Sequence, residues 1–424
     1  MKKLKIGARS PSVQLLQLAL ERAGYDVGGT DGVFGQKTHA AVVAFQRANG
    51  LSQDGIVGAE TTRYLMPWYT GYTLHTVKSG DTLYSIAASH GATLLALETA
   101  NPNIYPLNLR IGESVVVPLP FEVVPTGIDY CSALVGYCVR GLAARYPFLR
   151  VGEMGKSVMG KPLYLLSAGS GERRVFYNAE HHANEWITTP VLLKFMEQLA
   201  AAFVYGGSIG GFDAGEIFER CTITSAPAVN PDGLDLVTGE LTDGAYFDAA
   251  VKISQAFPDI PFPSGWKANI RGVDLNLQYP AGWTNAREIK FAQGFTQPAP
   301  RDYVGASPLS APESRAMFMQ TLNLDPQATL SYHTQGEVIY WRYLDMEPPG
   351  SRALAQELGR AGGYAVEETP YASGFAGYKD WFIQEFDRPG FTVECGLGKN
   401  PLPISDFDGI YAKNVGILAR CAMG

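Results

Sequence analysis

Val175-Phe176-Tyr177-Asn178-Ala179 is a short, unbroken apolar run, and two residues later the chain reads His182-Ala183-Asn184-Glu185. A run of this length, rich in β-branched and aromatic residues, is expected to be a buried strand. A helical pattern follows from Pro190 to Phe203, with Thr189 and Pro190 as an N-cap and first-turn pair. Further buried strands are expected at Cys221 to Val229, Ala328 to His333 and Gly390 to Glu394. Strands alternating with helices predict an α/β domain, a sheet covered on both faces, over roughly 125–424. In such sheets chemistry collects beyond the carboxyl ends of the strands.

Four residues fall at such ends: His182, Glu185, His333 in Ser331-Tyr332-His333-Thr334, and Glu394 in Phe391-Thr392-Val393-Glu394. Two histidines and a carboxylate with one position left open are what a catalytic zinc needs. A second carboxylate beside them can take a proton from the attacking water. A lone His-x-x-Glu is weak evidence, but the histidine census sharpens it. His39, His75 and His90 lie outside the large domain, which keeps His181, His182 and His333. His181 is out of step with the motif, since Asn184 stands three residues after it, and is expected to pack beside the site.

The chain has 424 residues, 46% of them hydrophobic, with no stretch long enough to span a membrane. The start, Met1-Lys2-Lys3-Leu4-Lys5, is basic but lacks the apolar run of a classical secretory signal. Net charge is -7, distributed as +3 over 1–66, -1 over 67–118 and -9 over the rest. That is too weak a basic excess to indicate nucleic acid. Five cysteines, at 131, 138, 221, 395 and 421, fit no zinc-binding spacing. Cys131 and Cys138 could pair, but reduced, partly buried thiols are the better expectation.

Two small modules precede the large domain. In the first, Val13, Leu15, Leu16, Leu18, Ala19 and Leu20 mark a helix face. Asp31-Gly32-Val33-Phe34-Gly35-Gln36-Lys37-Thr38 is then echoed by Asp54-Gly55-Ile56-Val57-Gly58-Ala59-Glu60-Thr61. Each echo reads as a turn whose Thr begins a helix, and a helix from Ala40 to Asn49 lies between them. Residues 1–68 resemble the peptidoglycan-binding type 1 domain, a three-helix module. In the second, His75 to Ala87 reads strand, turn and capped helix, Thr93 to Thr99 a second helix, and Ile111 to Pro118 a closing strand. Residues 72–119 resemble a LysM domain, of βααβ order. That resemblance implies binding of N-acetylglucosamine-containing glycan, with Gly80, Asp81, Thr82 and Asn101 matching the motif. Pro118 to Pro125 reads as a linker.

The large domain resembles the zinc metallocarboxypeptidases of carboxypeptidase A-like fold, which implies a mixed sheet flanked by helices. The resemblance rests on His182-x-x-Glu185, Asn230-Pro231-Asp232-Gly233, Gly272-Val273-Asp274-Leu275-Asn276, Ser331-Tyr332-His333 and Phe391-Thr392-Val393-Glu394, in that order. It implies one zinc on His182, Glu185 and His333, and Glu394 as base and then acid. It makes Asp274 the carboxylate that orients a ligand histidine, and Tyr371 the mobile tyrosine that covers substrate. Asn276 matches the family's Asn-Arg pair, but Leu277 stands where the arginine that grips a terminal carboxylate is expected. A bidentate charged contact is thereby lost, which counts against strict carboxypeptidase action. Lys267 and Arg271 are the two candidates for steadying the oxyanion.

The Trp266-to-Asn276 stretch and the module order resemble bacterial γ-D-glutamyl-L-diamino acid endopeptidases of the same family. The expected partners are peptidoglycan glycan strands and stem peptides, at a cell wall or spore, with a cytoplasmic pool left open. The alternatives are a carboxypeptidase trimming wall peptides and an inactive wall-binding protein.

Overall fold

The computed structural model describes residues 3–424; Met1 and Lys2 of the basic start lie outside the described residues. The chain forms two compact units, Met1–Leu149 and Arg150–Gly424.

In the first unit, helices Pro11–Arg22, Gln36–Ala48 and Ala59–Thr70 bury Val13, Leu16, Val42, Phe45 and Leu65. The echoed segments are two copies of one hydrogen-bond device. Gln17 Nε2 donates to Asp31 Oδ1 (2.8 Å), Val33 O (3.1 Å) and Thr38 Oγ1 (3.2 Å), while Gly32 N donates to Gln17 Oε1. Gln46 repeats this with Asp54 Oδ1 (2.8 Å), Ile56 O (3.0 Å), Thr61 Oγ1 (3.3 Å) and Gly55 N. Both glutamines are 1% exposed, so each is a buried amide with its polar atoms partnered. The threonines therefore do not begin the helices. Gly35 and Gly58 occupy the N-cap positions, and each Thr, two residues into its helix, accepts from the buried amide.

Strands β1 (Tyr72–Thr76) and β2 (Ser114–Pro118) pair antiparallel around helices Leu83–Ser89 and Leu94–Ala100. Thr82 and Ser85 close a capping box, and Thr93 caps the second helix. Asn101, 8% exposed, bonds Val116 through both N–H and C=O, tying the second helix to β2. The helix Ser132–Arg145 also belongs to this unit. Arg145 donates to the carbonyls of Gly71, Leu119 and Phe121, fastening the proline-marked segment that follows β2.

The second unit is built on an eight-stranded sheet. In chain order its strands are β3 (Arg150–Lys156), β4 (Pro162–Ala168), β5 (Arg173–Ala179), β8 (Cys221–Ala226), β9 (Ala328–His333), β10 (Val338–Tyr340), β11 (Ala365–Glu367) and β12 (Gly390–Glu394). A two-residue hairpin, β6 (Ser208–Ile209) with β7 (Phe212–Asp213), stands apart. The spatial order is β11-β10-β12-β9-β5-β8-β4-β3. Its centre, β12, β9, β5 and β8, is parallel, and β4, β3 and β10 run antiparallel to their inner neighbours. The sheet is mixed as expected, and its central strands are almost wholly buried, which explains their unbroken apolar runs.

The helix after β5 spans Thr188–Tyr205, starting earlier than the Thr189-Pro190 pair suggests. A 3-10 turn at Ala183–Glu185 leads into it, and Thr188 Oγ1 donates to Glu185 O at 2.7 Å. Pro190 still sits in the first turn, where its missing N–H costs nothing. All five cysteines are buried. Among the described residues no helix is long and apolar enough to cross a membrane.

Candidate active site

His333 and Glu394 are the last residues of β9 and β12, and His182 follows the end of β5 by three residues. The parallel register therefore delivers all three to one edge of the sheet. Glu185 joins them through the 3-10 turn, which is pinned from outside. Ala183 N donates to Lys267 O at 3.0 Å. Asn230 Nδ2 donates to His181 O (3.2 Å) and Ala268 O (3.1 Å), and Asn230 Oδ1 caps Gly233 N. A side chain at Gly233 would stand 2.6 Å from the Ala183 methyl, so the Asn-Pro-Asp-Gly motif lets a helix start abut the turn.

His182 Nδ1 lies 3.0 Å from Glu185 Oε1, His333 Nδ1 lies 2.9 Å from Glu185 Oε2, and the two Nδ1 atoms are 3.2 Å apart. The donor atoms of the three residues all fall within 4.8 Å of one another. On the far side of the ring, His182 Nε2 lies 3.1 Å from Asp274 Oδ1, so Nδ1 is the nitrogen turned toward the cluster. Asp274 is itself held by the N–H groups of Asn276 and Asp302.

Electrostatics point the same way. Burial presses the His182 pKa down, but Glu185 and Asp274 overcome it and carry it up to about 9. Burial works to raise both carboxylates. Lys267 and His182 nevertheless hold Glu185 well below its usual range, and His182 holds Asp274 low. Two converging nitrogens and an ionised carboxylate form a cluster that favours positive charge, and the donor set suits zinc. Glu394 behaves oppositely: burial, then repulsion from Glu185, lifts it to about 8, against the pull of Lys267 and His182.

These residues face a cavity of about 240 Å³ lined by His182, Asp274, His333 and Glu394. Lys267, Asn276 and Leu277 line it too. Lys267 Nζ donates to Glu185 Oε1 at 2.8 Å. Asn276 spans from His333 Nε2, 3.5 Å from its amide nitrogen, to Tyr378 N, which donates to its Oδ1 at 2.9 Å. Leu277 is 8% exposed and joins the apolar cluster with Tyr279 and Trp381. His181 is fully buried, bonded to Tyr279 OH at 2.9 Å and stacked on His333, the flanking place expected of it.

Two candidates fall outside the cavity wall. Arg271 is exposed and does not line it. Its backbone N–H donates to Asn269 Oδ1 at 3.0 Å, and of the two candidates only Lys267 lines the cavity. Tyr371 is 69% exposed, edge-on to Phe375 at 5.0 Å, in a 3-10 turn whose Pro370 and Ser373 form the rim. In Arg271's stead the fold supplies Arg301, Lys290 and Asp302, which sequence reasoning missed. Segment 300–303 pairs with 267–274 through Lys267, Ala268 and Asp274 backbone bonds, and so reaches the cavity. Asp302 takes Lys290 Nζ and Arg301 Nε, both at 2.6 Å. One carboxylate thus serves two cations in this part of the wall. Lys379 and Asp380 were missed as well, though a charged pair inside Tyr378-Lys379-Asp380-Trp381-Phe382-Ile383 is a visible break in an apolar helix face.

A family model described as zinc carboxypeptidase matches residues 137–414. Models for a peptidoglycan binding domain and for the LysM domain match 9–65 and 75–118. The chain is 42% identical over 280 residues to gamma-D-glutamyl-L-diamino acid endopeptidase 1 of Lysinibacillus sphaericus, covering 66% of this chain and 68% of that one. It is 35% identical over 340 residues to the uncharacterized protein YqgT of Bacillus subtilis, covering 80% and 86%. Among solved structures, carboxypeptidase A of Helicoverpa armigera superposes with a TM-score of 0.53 at 16% identity, covering 99% of this chain and 95% of that one, a likeness of fold. With the family model spanning well over half its length, and a relative this similar along most of its own, the chain belongs to the zinc carboxypeptidase family.

Proposed function

We propose that this chain is a zinc-dependent peptidoglycan hydrolase that cuts the bond between γ-D-glutamate and the diamino acid of stem peptides. The observation that carries this reading is the cavity itself: a two-histidine, one-carboxylate cluster, with Glu394, Lys290 and Arg301 in the same wall and Leu277 where a carboxypeptidase would hold arginine. The relative's name and the two wall-directed modules support the substrate class. In this reading the chain has three working parts, 1–68, 72–119 and 125–424, and acts at the bacterial cell wall. Binding the polymer through the first two raises the concentration of stem peptide at the third.

His182, Glu185 and His333 would hold one zinc, which when bound supplies a Lewis acid for the scissile carbonyl. Glu394 takes a proton from the attacking water and returns it to the leaving amine of the diamino acid. Its raised pKa suits an acid-base group near neutral pH. Asp274 fixes the ring of His182. Lys267 lies beside Glu185 and faces the cavity, placed to steady the oxyanion. Arg301 spends Nε on Asp302, and its terminal nitrogens are suited to the free α-carboxylate of D-glutamate. Asn276 shapes the wall beside His333, and Tyr371 stands at the rim, able to fold over a bound peptide.

The test is to digest purified peptidoglycan with the zinc-loaded protein and label the new amino termini. A newly freed α-amine on the diamino acid is expected. Release of terminal D-alanine with the γ-D-glutamyl bond left intact would contradict the reading and favour a trimming carboxypeptidase.

A further inference from the structure

Behind the cavity wall lies a buried contact that the mechanism leaves unused. Lys267 bonds Glu185 and Asp274 faces the ring of His182, and the two stand on either side of one irregular turn, 269–273. Asn269 fills that turn from within. Its N–H donates to Val273 O at 2.8 Å, and Gly272 N donates to its carbonyl at 2.9 Å. Its side-chain Oδ1 accepts from Arg271 N (3.0 Å) and Val273 N (3.1 Å). Gly272 has a φ of +75°, and a side chain there would stand 2.9 Å from Ala299 N, so glycine is required.

Asn269 Nδ2 points the other way and donates to Glu313 Oε2 at 3.1 Å. Glu313 Oε1 accepts from Val158 N at 2.9 Å. Asn269 and Glu313 are 1% and 0% exposed. Two donors on one carboxylate suit its ionised form, and so does its place in the first turn of the helix Pro312–Leu324. The amide of Asn269 cannot turn over, because its oxygen serves two N–H groups and its nitrogen faces a carboxylate. The next residue of the helix, Ser314, donates its hydroxyl to Leu275 O at 3.0 Å. One helix start therefore grips the chain on both sides of Asp274.

Resting on the zinc-hydrolase reading above, we propose that Glu313 and Asn269 are positioning residues. Their contact holds the turn so that Asp274 meets the ring of His182 and Lys267 enters the cavity. It thereby sets zinc affinity and the rate of the hydrolytic step, with neither residue touching substrate. Arg301, suited to the substrate carboxylate, lies on a different segment, so substrate affinity is not set by this contact.

The experiment compares the full-length protein with Glu313→Gln, with Asn269→Asp and with the two together. Zinc affinity is read by competition with a chromogenic chelator, and kcat and KM on a disaccharide-tripeptide stem at saturating zinc. Glu313→Gln sets one donor against another, and Asn269→Asp sets one carboxylate against another. In the pair the hydrogen bond returns with its direction reversed: the glutamine amide donates to the new carboxylate, and its carbonyl still accepts from Val158 N. Each single variant is expected to weaken zinc binding and lower kcat by about tenfold, with KM little changed. The pair should recover most of both losses. Losses in the pair that equal the product of the single losses overturn the proposal. Single variants that keep zinc affinity and kcat while the urea midpoint falls overturn it too, since that is the mark of a structural role alone. If a single variant does not fold, the pair decides: a folded pair with native zinc affinity and kcat supports the proposal, and a pair that lacks them or fails to fold overturns it. An unaltered protein that binds zinc yet leaves the γ-D-glutamyl bond uncut overturns the parent reading and leaves the zinc-affinity comparison to judge this one.

Discussion

Glu394 stands directly opposite His333 in the register between the parallel strands β12 and β9. The two residues end their strands at the same level, and Cys395 N donates to His333 O at 2.8 Å just beyond them. The proposed metal ligand and the proposed acid-base carboxylate are thus separated by one inter-strand spacing that the sheet ladder fixes. Neither depends on a loop for its position. Glu394→Gln keeps the shape and removes the base. It should lower kcat by about 10²–10⁴-fold while zinc, measured by elemental analysis, stays at the level of the unaltered protein.

Asp274 touches the ring of His182 on the side away from the cluster. Asp274→Asn should weaken zinc binding by about 10–100-fold, and His333→Ala should abolish it. Competition with a chromogenic chelator measures both, and unchanged affinity in Asp274→Asn would argue that the ring is held by packing alone.

The acid limb of the pH profile follows from Glu394. The base must be ionised to accept a proton, so activity rises as pH climbs through its pKa. Burial and Glu185 raise that pKa, and Lys267 lowers it. Removing the ammonium in Lys267→Met should move the acid limb of kcat/KM toward higher pH, in addition to lowering kcat. A limb that stays put, or moves to lower pH, would show that another group controls it.

In the proposed reading, Leu277 is the departure that separates this cavity from one built for a terminal carboxylate. Leu277→Arg should raise kcat/KM on a simple peptide with a free C-terminal aromatic residue by at least about tenfold, the value of a charged hydrogen bond. Peptide hydrolysis followed by chromatography reads the change. No gain would place the discrimination elsewhere in the wall.

In the first unit, Gln17 and Gln46 each satisfy a buried turn. Gln17→Ala or Gln46→Ala leaves Gly32 N or Gly55 N without its partner, which costs about 1–3 kcal/mol. Each should lower the urea midpoint of that unit, followed by near-ultraviolet circular dichroism. The two losses should be similar, because the networks are near copies.

The strands and the residues at their ends were legible because buried parallel strands are written as unbroken apolar runs, and a polar residue that closes such a run is conspicuous. His182, Glu185, His333 and Glu394 were read this way, Asp274 through the family resemblance alone, and the fold brings all five together. Arg271 misled because the sequence gives no direction for a side chain in an irregular segment; Lys267 lines the cavity and Arg271, in the same segment, does not. Arg301, Lys290 and Asp302 carried no local pattern at all, since they reach the cavity through the pairing of 300–303 with 267–274, a contact no periodicity announces. The doubled turn was visible, but Gln17 and Gln46, which make it a device, sit inside helices where a glutamine looks like surface.

The most direct measurement is mass spectrometry of a disaccharide-tripeptide stem after incubation with the zinc-loaded protein, beside Glu394→Gln as control. The account predicts two products, the disaccharide carrying L-alanyl-γ-D-glutamate and the free diamino acid, with neither formed by the variant. On the matching tetrapeptide it predicts release of the diamino acid still joined to D-alanine. Loss of D-alanine alone from that tetrapeptide, with the γ-D-glutamyl bond intact, would contradict it.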